Sequence, residues 1–238
     1  MDRISLPYED YFGEMDLDDE KIERRIALAR RLEDAFSLFL TLYMQTISTR
    51  QENAKFLKEQ LRMSIVNAVS EEFIIDDYIS DYIDELVNNV IKVTDDKVSK
   101  LDKLNVLSSK TSQGTLFSAL ILNENDLDDK ESTYGSKIAF SLWFLSIDRA
   151  IALAENESNT FLNYDEFRTA KEEGYQYKTW ITEKDNKVRP THQDVDDEKI
   201  PIEEAFYVGN YMMMFPKDTS LGAGAEEISN CRCTIQYS

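Results

Sequence analysis

Three side chains that could bind a metal or act as nucleophiles fall in the last quarter of the sequence. They are the one histidine of the chain, His192, and its two cysteines, Cys231 and Cys233. An imidazole and two thiolates are three of the four ligands that a tetrahedral zinc ion takes, and a nearby carboxylate could complete the set. The candidate carboxylates are Asp185, Asp194 and Asp196.

The spacing of the cysteines also allows a purely structural role. Zinc clamps usually separate their cysteines by two to four residues, whereas a single residue separates these two. Side chains two positions apart on a strand point to the same face, so both thiols could pack in a small core while His192 anchors the following turn through hydrogen bonds. A disulfide is not expected, because the Cα atoms of such an extended pair stand too far apart. The sequence leaves the metal and the packing interpretation open.

Catalytic chemistry finds little support in the sequence. The only common pair of nucleophile and general base that the sequence offers is a cysteine with His192. No loop typical of an oxyanion hole accompanies this pair. No glycine-rich phosphate loop, metalloprotease helix or kinase motif is found. We therefore predict that the protein is not an enzyme and has no cofactor, unless zinc occupies the histidine–cysteine cluster.

Other residues surround this cluster in a definite order. A tryptophan in a predicted strand is followed by an arginine–histidine step and, at the end, by an Asn-Cys-Arg-Cys string. The residues that we single out are Trp180, Asp185, Arg189, His192, Asp196, Phe206, Pro216, Asn230, Cys231, Arg232 and Cys233. This order resembles the head-morphogenesis domain of the phage Mu F-like family of minor head proteins, over roughly residues 136–238. One position departs from the family pattern: Asp197 stands where a glycine is frequent, although aspartate tolerates many turns.

We predict that most of these residues hold the fold together. Trp180 is expected in the core, on the apolar face of its strand. Arg189 and Arg232 could contact phosphate or an acidic partner, or they could tie irregular loops by bonding carbonyls and carboxylates. We favour the second interpretation, with Asp185 or Asp218 as a partner.

The predicted elements that position these residues are helices in the first part of the sequence, and helices and strands in the later part. Neither proline nor glycine occurs from Glu14 to Gln113, and apolar residues recur there at three- and four-residue spacing, which predicts a bundle of helices. The acidic residues within 16–20 are typical of a helix start. A further helix is predicted over 137–155. A short one is predicted from Asn163, as its N-cap, to Gly174.

After Gly174 the sequence becomes richer in aromatic, β-branched and turn residues. Short strands are predicted at Tyr175–Glu183, Ala205–Val208, Tyr211–Phe215 and Arg232–Tyr237. The predicted fold class is therefore α+β. A mainly helical region covers residues 1–135, and a head-morphogenesis module with short antiparallel strands covers residues 136–238.

The net charge of the chain restricts the kinds of partner that it is expected to bind. The formal net charge is −19, and residues 175–238 carry only seven Lys or Arg against eleven Asp or Glu, so most of the excess lies on the helical part. Strong direct binding to DNA needs clustered basic residues and is not expected. Signal-peptide and membrane-spanning patterns are not found, so we expect a protein made in the bacterial cytoplasm without membrane contact.

The resemblance implies a function in phage assembly. We expect a bacteriophage minor head protein in the virion or procapsid, docked to the portal protein, the major capsid protein or a scaffolding protein. A prophage-derived cytosolic module that binds a basic protein is the alternative, and a zinc- or thiol-dependent enzyme is a weaker one.

Overall fold

A computed structural model of the chain describes residues 8–13, 15, 17–45, 49–68, 75–103 and 146–238. The described helices are α1 (Tyr8–Gly13), α2 (Asp19–Gln45), α3 (Arg50–Ala68), α4 (Asp77–Lys103), α5 (Ile147–Glu172), α6 (Pro190–Gln193) and α7 (Ala225–Ile228). The strands are β1 (Tyr177–Ile181), β2 (Lys199–Pro201), β3 (Phe206–Val208), β4 (Tyr211–Met213) and β5 (Thr234–Tyr237). Helices followed by short strands confirm the α+β class. The predicted boundary between residues 135 and 136 lies outside the described ranges.

The chain divides into two compact units, each assembled from separate segments. The first contains residues 1–33, 64–74 and 152–238, and the second contains residues 34–63 and 75–151. All the strands within the described ranges belong to the first unit, together with the beginning of α2 and most of α5. The candidate site therefore has helices from both ends of the sequence around it.

Side-chain caps start the three long N-terminal helices. Asp18 Oδ1 accepts a hydrogen bond from the Lys21 amide at 2.9 Å and so caps the start of α2. Thr49 and Glu52 form a reciprocal capping box before α3, because each side chain accepts the backbone amide of the other. Asp76 caps α4 through a 3.0 Å bond from the Ile79 amide. Each of these three helix starts is therefore stabilised by a residue adjacent to it in the sequence.

Apolar stripes on α3 and α4 form the core of the second unit. Leu57 and Leu61 of α3 and Ile79 and Ile83 of α4 are completely buried. Arg149 at the start of α5 is also buried there, and its Nη1 donates to Thr94 Oγ1 at 3.0 Å. The periodic apolar spacing thus predicted the inward faces of these helices correctly.

A single helix replaces the two that were predicted between residues 137 and 174. Helix α5 runs without a break from Ile147 to Glu172, and residues 137–145 of the predicted first helix lie outside the described ranges. The N-cap prediction at Asn163 is wrong, because that residue lies in the interior of α5 and is buried. The sequence pattern matched a capping box, but tertiary contacts use the asparagine differently.

The predicted end of this helix at Gly174 is confirmed. Gly174 has a φ of +84°, a conformation that glycine adopts without steric cost. The amide of Tyr175 donates to the Ala170 carbonyl at 3.0 Å, and that of Gly174 donates to the Lys171 carbonyl at 3.1 Å. These two bonds are a Schellman cap, which turns the chain directly into β1.

The strands form a three-stranded antiparallel sheet and a separate hairpin. The sheet order is β2-β1-β5, with Trp180 opposite Ile235, and β3 pairs with β4. All four predicted strand regions contain a strand. Strand β2 was not predicted, since it has three residues and ends on Pro201, which suits an edge strand alone. None of the helices within the described ranges is long and apolar enough to cross a membrane.

Candidate functional site

The structure brings the histidine and both cysteines together in the core of the first unit. His192 Nδ1 lies 3.3 Å from Cys233 Sγ and 3.6 Å from Cys231 Sγ, and the three candidate ligand atoms lie within 4.8 Å of one another. All three residues are buried. His192 comes from the one-turn helix α6, and the cysteines come from the segment that leads into β5. Both thiols therefore face one ring nitrogen.

The other ring nitrogen of His192 contacts a carboxylate. His192 Nε2 lies 3.0 Å from Glu227 Oε2, and the same oxygen accepts a 2.8 Å hydrogen bond from Thr191 Oγ1. Gly209 makes room for this carboxylate, since a Cβ there would lie 2.8 Å from Glu227 Oε1. The imidazole is thus held between two thiols and a carboxylate, which fixes its ring orientation.

The electrostatics of the cluster favour one thiolate. The hydrogen bond from Cys233 holds the pKa of Cys231 well below its ordinary value, and the hydrogen bond and charge of His192 and the charge of Lys217 act in the same direction. That contact and burial raise the pKa of Cys233 well above its ordinary value. Burial disfavours the charged His192, but the contacts with Cys231 and Glu227 outweigh it and raise the pKa of the imidazole. Both shifts act toward the charged forms of Cys231 and His192 and away from the neutral pair.

Aromatic rings cover the cluster on one side. Trp180 is completely buried in β1, and its ring meets His192 edge-on at 5.7 Å and Phe206 edge-on at 5.2 Å. The indole Nε1 has no oxygen or nitrogen acceptor within the described residues. The indole is close enough to Cys233 to oppose, in small part, the increase in the pKa of that thiol that Cys231 and burial cause. Trp180 is therefore a core residue, as predicted, and its ring packs against the cluster.

Two asparagines of α5 fix the backbone that carries the cysteines. Asn159 Nδ2 donates to the Cys231 carbonyl at 3.0 Å, and Asn163 Nδ2 donates to the carbonyls of Cys233 and Pro216, each at 3.2 Å. The buried guanidinium of Arg25, on α2, donates to both asparagine Oδ1 atoms at 3.0 Å. The position of the thiols thus depends on α2 and α5.

The predicted arginines tie loops around the cluster. Arg232 Nη2 donates to Asp185 Oδ2, while Asp185 Oδ1 accepts the amide of Lys187 at 2.8 Å. Arg189 Nη2 donates to the Ser229 carbonyl, one residue before Asn230. Both contacts are of the structural kind that we favoured.

The remaining motif residues shape turns. Asp196 Oδ1 accepts the Thr182 amide at 2.9 Å, and the next residue, Asp197, has a φ of +62°. Asn230 also has a positive φ, of +53°, and donates its amide to Asn156 Oδ1 at 2.9 Å. Asp197 therefore takes up the backbone shape that a glycine would take in this turn.

None of the three aspartates considered as a fourth ligand joins the cluster. Within the described residues, the metal-capable group consists of His192, Cys231 and Cys233. Asp185 is occupied by Arg232, Asp196 binds a backbone amide, and Asp194 is exposed. A fourth protein ligand from these positions is not supported by the geometry.

An open cleft lies beside the cluster. It has a volume of about 510 Å³ and carries both signs of charge; its lining residues are Asp10, Tyr11, Glu155, Lys187, Arg189, Asn230 and Arg232. Burial raises the pKa of Glu155 to about 7. Because both basic and acidic side chains line it, the cleft is not a simple phosphate site.

Sequence reasoning missed the supporting residues of the site. Glu227 stands next to another glutamate, Glu226, and nothing in the sequence separates the buried one from the exposed one. Asn159 and Asn163 are four residues apart, which places them on one helix face, but this spacing alone does not identify a partner. Arg25 lies more than a hundred residues from the two asparagines that it binds.

The assembled module defines the class of protein. The strand with the buried Trp180, the segment that carries Arg189 and His192, and the Asn-Cys-Arg-Cys segment before β5 meet at one point. Comparison with models of protein families matches residues 109–236, more than half of the chain, to the family described as phage Mu protein F like protein. The chain belongs to this family. No curated protein and no solved structure matches it significantly.

Proposed function

We propose that this protein is a minor component of the phage procapsid or virion that docks to the portal or to the inner capsid through its helical region. Membership in the Mu F-like family carries the proposal, because it makes the chain a head-morphogenesis protein. The C-terminal module carries the family motif, so the more acidic helical part is where this particular chain would select its partner.

The surface of α4 offers a contact of suitable chemistry. Asp77, Asp81 and Glu85 are four residues apart and exposed, so they form an acidic stripe along one face of α4. Such a stripe would attract a basic surface on a portal, capsid or scaffolding protein and speed their encounter. The net charge of −19 makes DNA a poor competitor for the same surface.

Charge reversal on this stripe tests the proposal. The full chain would be co-expressed with the portal, capsid and scaffolding proteins of the same phage, and its copies per purified procapsid would be counted by quantitative mass spectrometry. The triple change Asp77→Lys, Asp81→Lys and Glu85→Lys should reduce incorporation at least tenfold. The matched control reverses three exposed carboxylates of the C-terminal module, at Glu173, Glu198 and Glu204, and should leave incorporation unchanged.

Two results would contradict the proposal. Absence of the wild-type protein from both procapsids and virions would exclude a head component. Equal loss of incorporation in the two triple variants would exclude docking through the helical stripe, since only total charge would then matter. Circular dichroism of each variant should first show unchanged helix content.

A further inference from the structure

The spacing of the three ligand atoms fits a tetrahedral metal ion. Zinc binds sulfur at about 2.3 Å and imidazole nitrogen at about 2.0–2.1 Å, so tetrahedral geometry sets a sulfur–nitrogen distance of roughly 3.6 Å. His192 Nδ1 lies 3.3 Å from one sulfur and 3.6 Å from the other. An ion at the common centre of the three atoms would need only small side-chain shifts.

A small void adjoins these atoms. Its volume is about 20 Å³, and His192, Cys231 and Cys233 all line it, together with Glu183. This is room for a single water-sized atom or ion. Arg189 lines both this void and the open cleft, so the two lie next to each other.

The groups around the ligands complement a metal–thiolate centre. Metal-binding histidines commonly donate their second ring N–H to a carboxylate, which is the position of Glu227 opposite the thiols. Metal-bound thiolate sulfur accepts hydrogen bonds, and the buried Trp180 Nε1 lies beside Cys233 without an oxygen or nitrogen acceptor. Two thiolates also balance the charge of a divalent ion, so the buried centre would be neutral.

The backbone of the ligands is fixed before an ion arrives. Asn159 and Asn163 hold the carbonyls of the two cysteines, and α6 carries the histidine in a turn closed by backbone hydrogen bonds. A preorganised set of soft ligands favours zinc over magnesium or calcium, which prefer oxygen. This rigidity compensates for the unusual spacing of the two cysteines.

We propose that this module binds one zinc ion through His192 Nδ1, Cys231 Sγ and Cys233 Sγ, with a water molecule as the fourth ligand in the void beside them. Glu227 positions the imidazole through Nε2. The ion ties the one-turn helix α6 to the segment before β5, two parts of the chain about forty residues apart. Its role is to stabilise the module.

Metal content and spectroscopy test the proposal on the full chain. Protein purified without chelator should contain one zinc per chain by plasma mass spectrometry. Cobalt(II) titrated into the metal-free protein should give a sulfur-to-cobalt charge-transfer band and the intense visible bands of a tetrahedral site. Zinc should raise the melting temperature of the metal-free protein, and a chelator should reverse this rise.

Two adjacent glutamates provide a matched pair of variants. Glu227→Gln should weaken zinc binding about 10- to 100-fold, because it removes the carboxylate behind the histidine. Glu226→Gln changes the neighbouring exposed carboxylate, which contacts Tyr211 and not His192, and should leave the affinity unchanged. Cys233→Ser should abolish the cobalt charge-transfer band or strongly reduce it.

The outcome that overturns the proposal is equally direct. A folded wild-type protein without zinc, with no cobalt band and with a melting temperature that neither zinc nor chelator changes, would show that the thiols only pack around His192. If Cys233→Ser does not fold, the wild-type metal content and the Glu227→Gln and Glu226→Gln pair still decide the question.

Discussion

Asn159 and Asn163, one turn apart on α5, each hold the carbonyl of one cysteine of the Asn-Cys-Arg-Cys string. The two asparagines are in turn held by one guanidinium, that of Arg25. The family motif therefore depends on a helix that lies outside the predicted strands and on a second helix near the start of the sequence. These hydrogen bonds connect the two helices of the first unit to the segment that carries the cysteines.

Replacement of Asn163 by alanine should destabilise the protein by about 2–3 kcal/mol, because two buried carbonyls and one Arg25 N–H would lose their partner. Urea unfolding followed by circular dichroism measures the change. Asn186→Ala, at an exposed turn position, is the control and should stay within about 0.5 kcal/mol of wild type. Equal effects of the two substitutions would show that the Asn163 contacts contribute little.

Arg25→Lys should also be destabilising, although it preserves the charge. The guanidinium reaches Asn159, Asn163 and Glu166 at once, and an ammonium group cannot span these acceptors with the same geometry. We expect a loss of roughly 1–3 kcal/mol in the free energy of unfolding. Arg30→Lys, at an exposed ion pair with Glu9, should have almost no effect. A tolerated Arg25→Lys would mean that charge alone matters at this position.

The left-handed backbone at Asp197 predicts an ordered series of substitutions. Asp197→Gly and Asp197→Asn should remain within about 0.5 kcal/mol of wild type, since both residues accept a positive φ. Asp197→Val should lose at least about 1 kcal/mol, because a β-branched side chain is strained there. Thermal unfolding ranks the three. A valine variant as stable as the glycine variant would contradict the observed φ of +62°.

Lys178 predicts a pH dependence above neutrality. Burial lowers its pKa to about 8, although Nζ donates to the Met214 carbonyl at 2.6 Å and lies 4.9 Å from the Phe167 ring centroid. Between pH 8 and the ordinary lysine value near 10.5, the folded state releases this proton before the unfolded state does. Stability from Lys178 therefore increases with pH in this window and is lowest below pH 8.

The comparison with Lys178→Met isolates this effect. From pH 7.5 to 9.5 the wild type should gain on the order of 1 kcal/mol relative to the variant, because the variant has no proton to release there. Lys217, whose pKa burial also lowers to about 8, is present in both proteins and cancels in the difference. Parallel stability curves over this range would show that the folded state does not shift the pKa of Lys178.

Much of the fold follows from local chemistry in the sequence. Gly174 ends α5, Asp18 starts α2, and the alternation around Trp180 places this ring in the core, because each signal acts within a few residues. Arg232 and Asp185 pair as the types of their side chains suggested. The small strand β2 escaped prediction since an edge strand of three residues carries almost no periodic signal.

The support of the site could not be predicted, because its contacts are not local. Asn163 and Glu166 have the spacing of a capping box, yet both bind Arg25, which lies 138 and 141 residues away in the sequence. An asparagine followed three residues later by a glutamate is therefore compatible with a helix start and also with a helix interior that binds a distant arginine. The role of Glu227 could not be predicted for the same reason. Only the fold distinguishes it from Glu226, because it places Gly209 and Thr191 around the Glu227 carboxylate.

The long reach of Arg25 also affects how the protein is made. Ribosomes add about 5–20 residues per second, and the partners of Arg25 follow it by 134 to 141 residues. On the order of ten seconds therefore pass between the synthesis of α2 and that of α5. During this time the Arg25 guanidinium, which is buried in the folded protein, is still exposed to water. During this interval the nascent chain cannot complete its first unit, because the asparagines of α5 and the Asn-Cys-Arg-Cys segment that they hold are made only after α2.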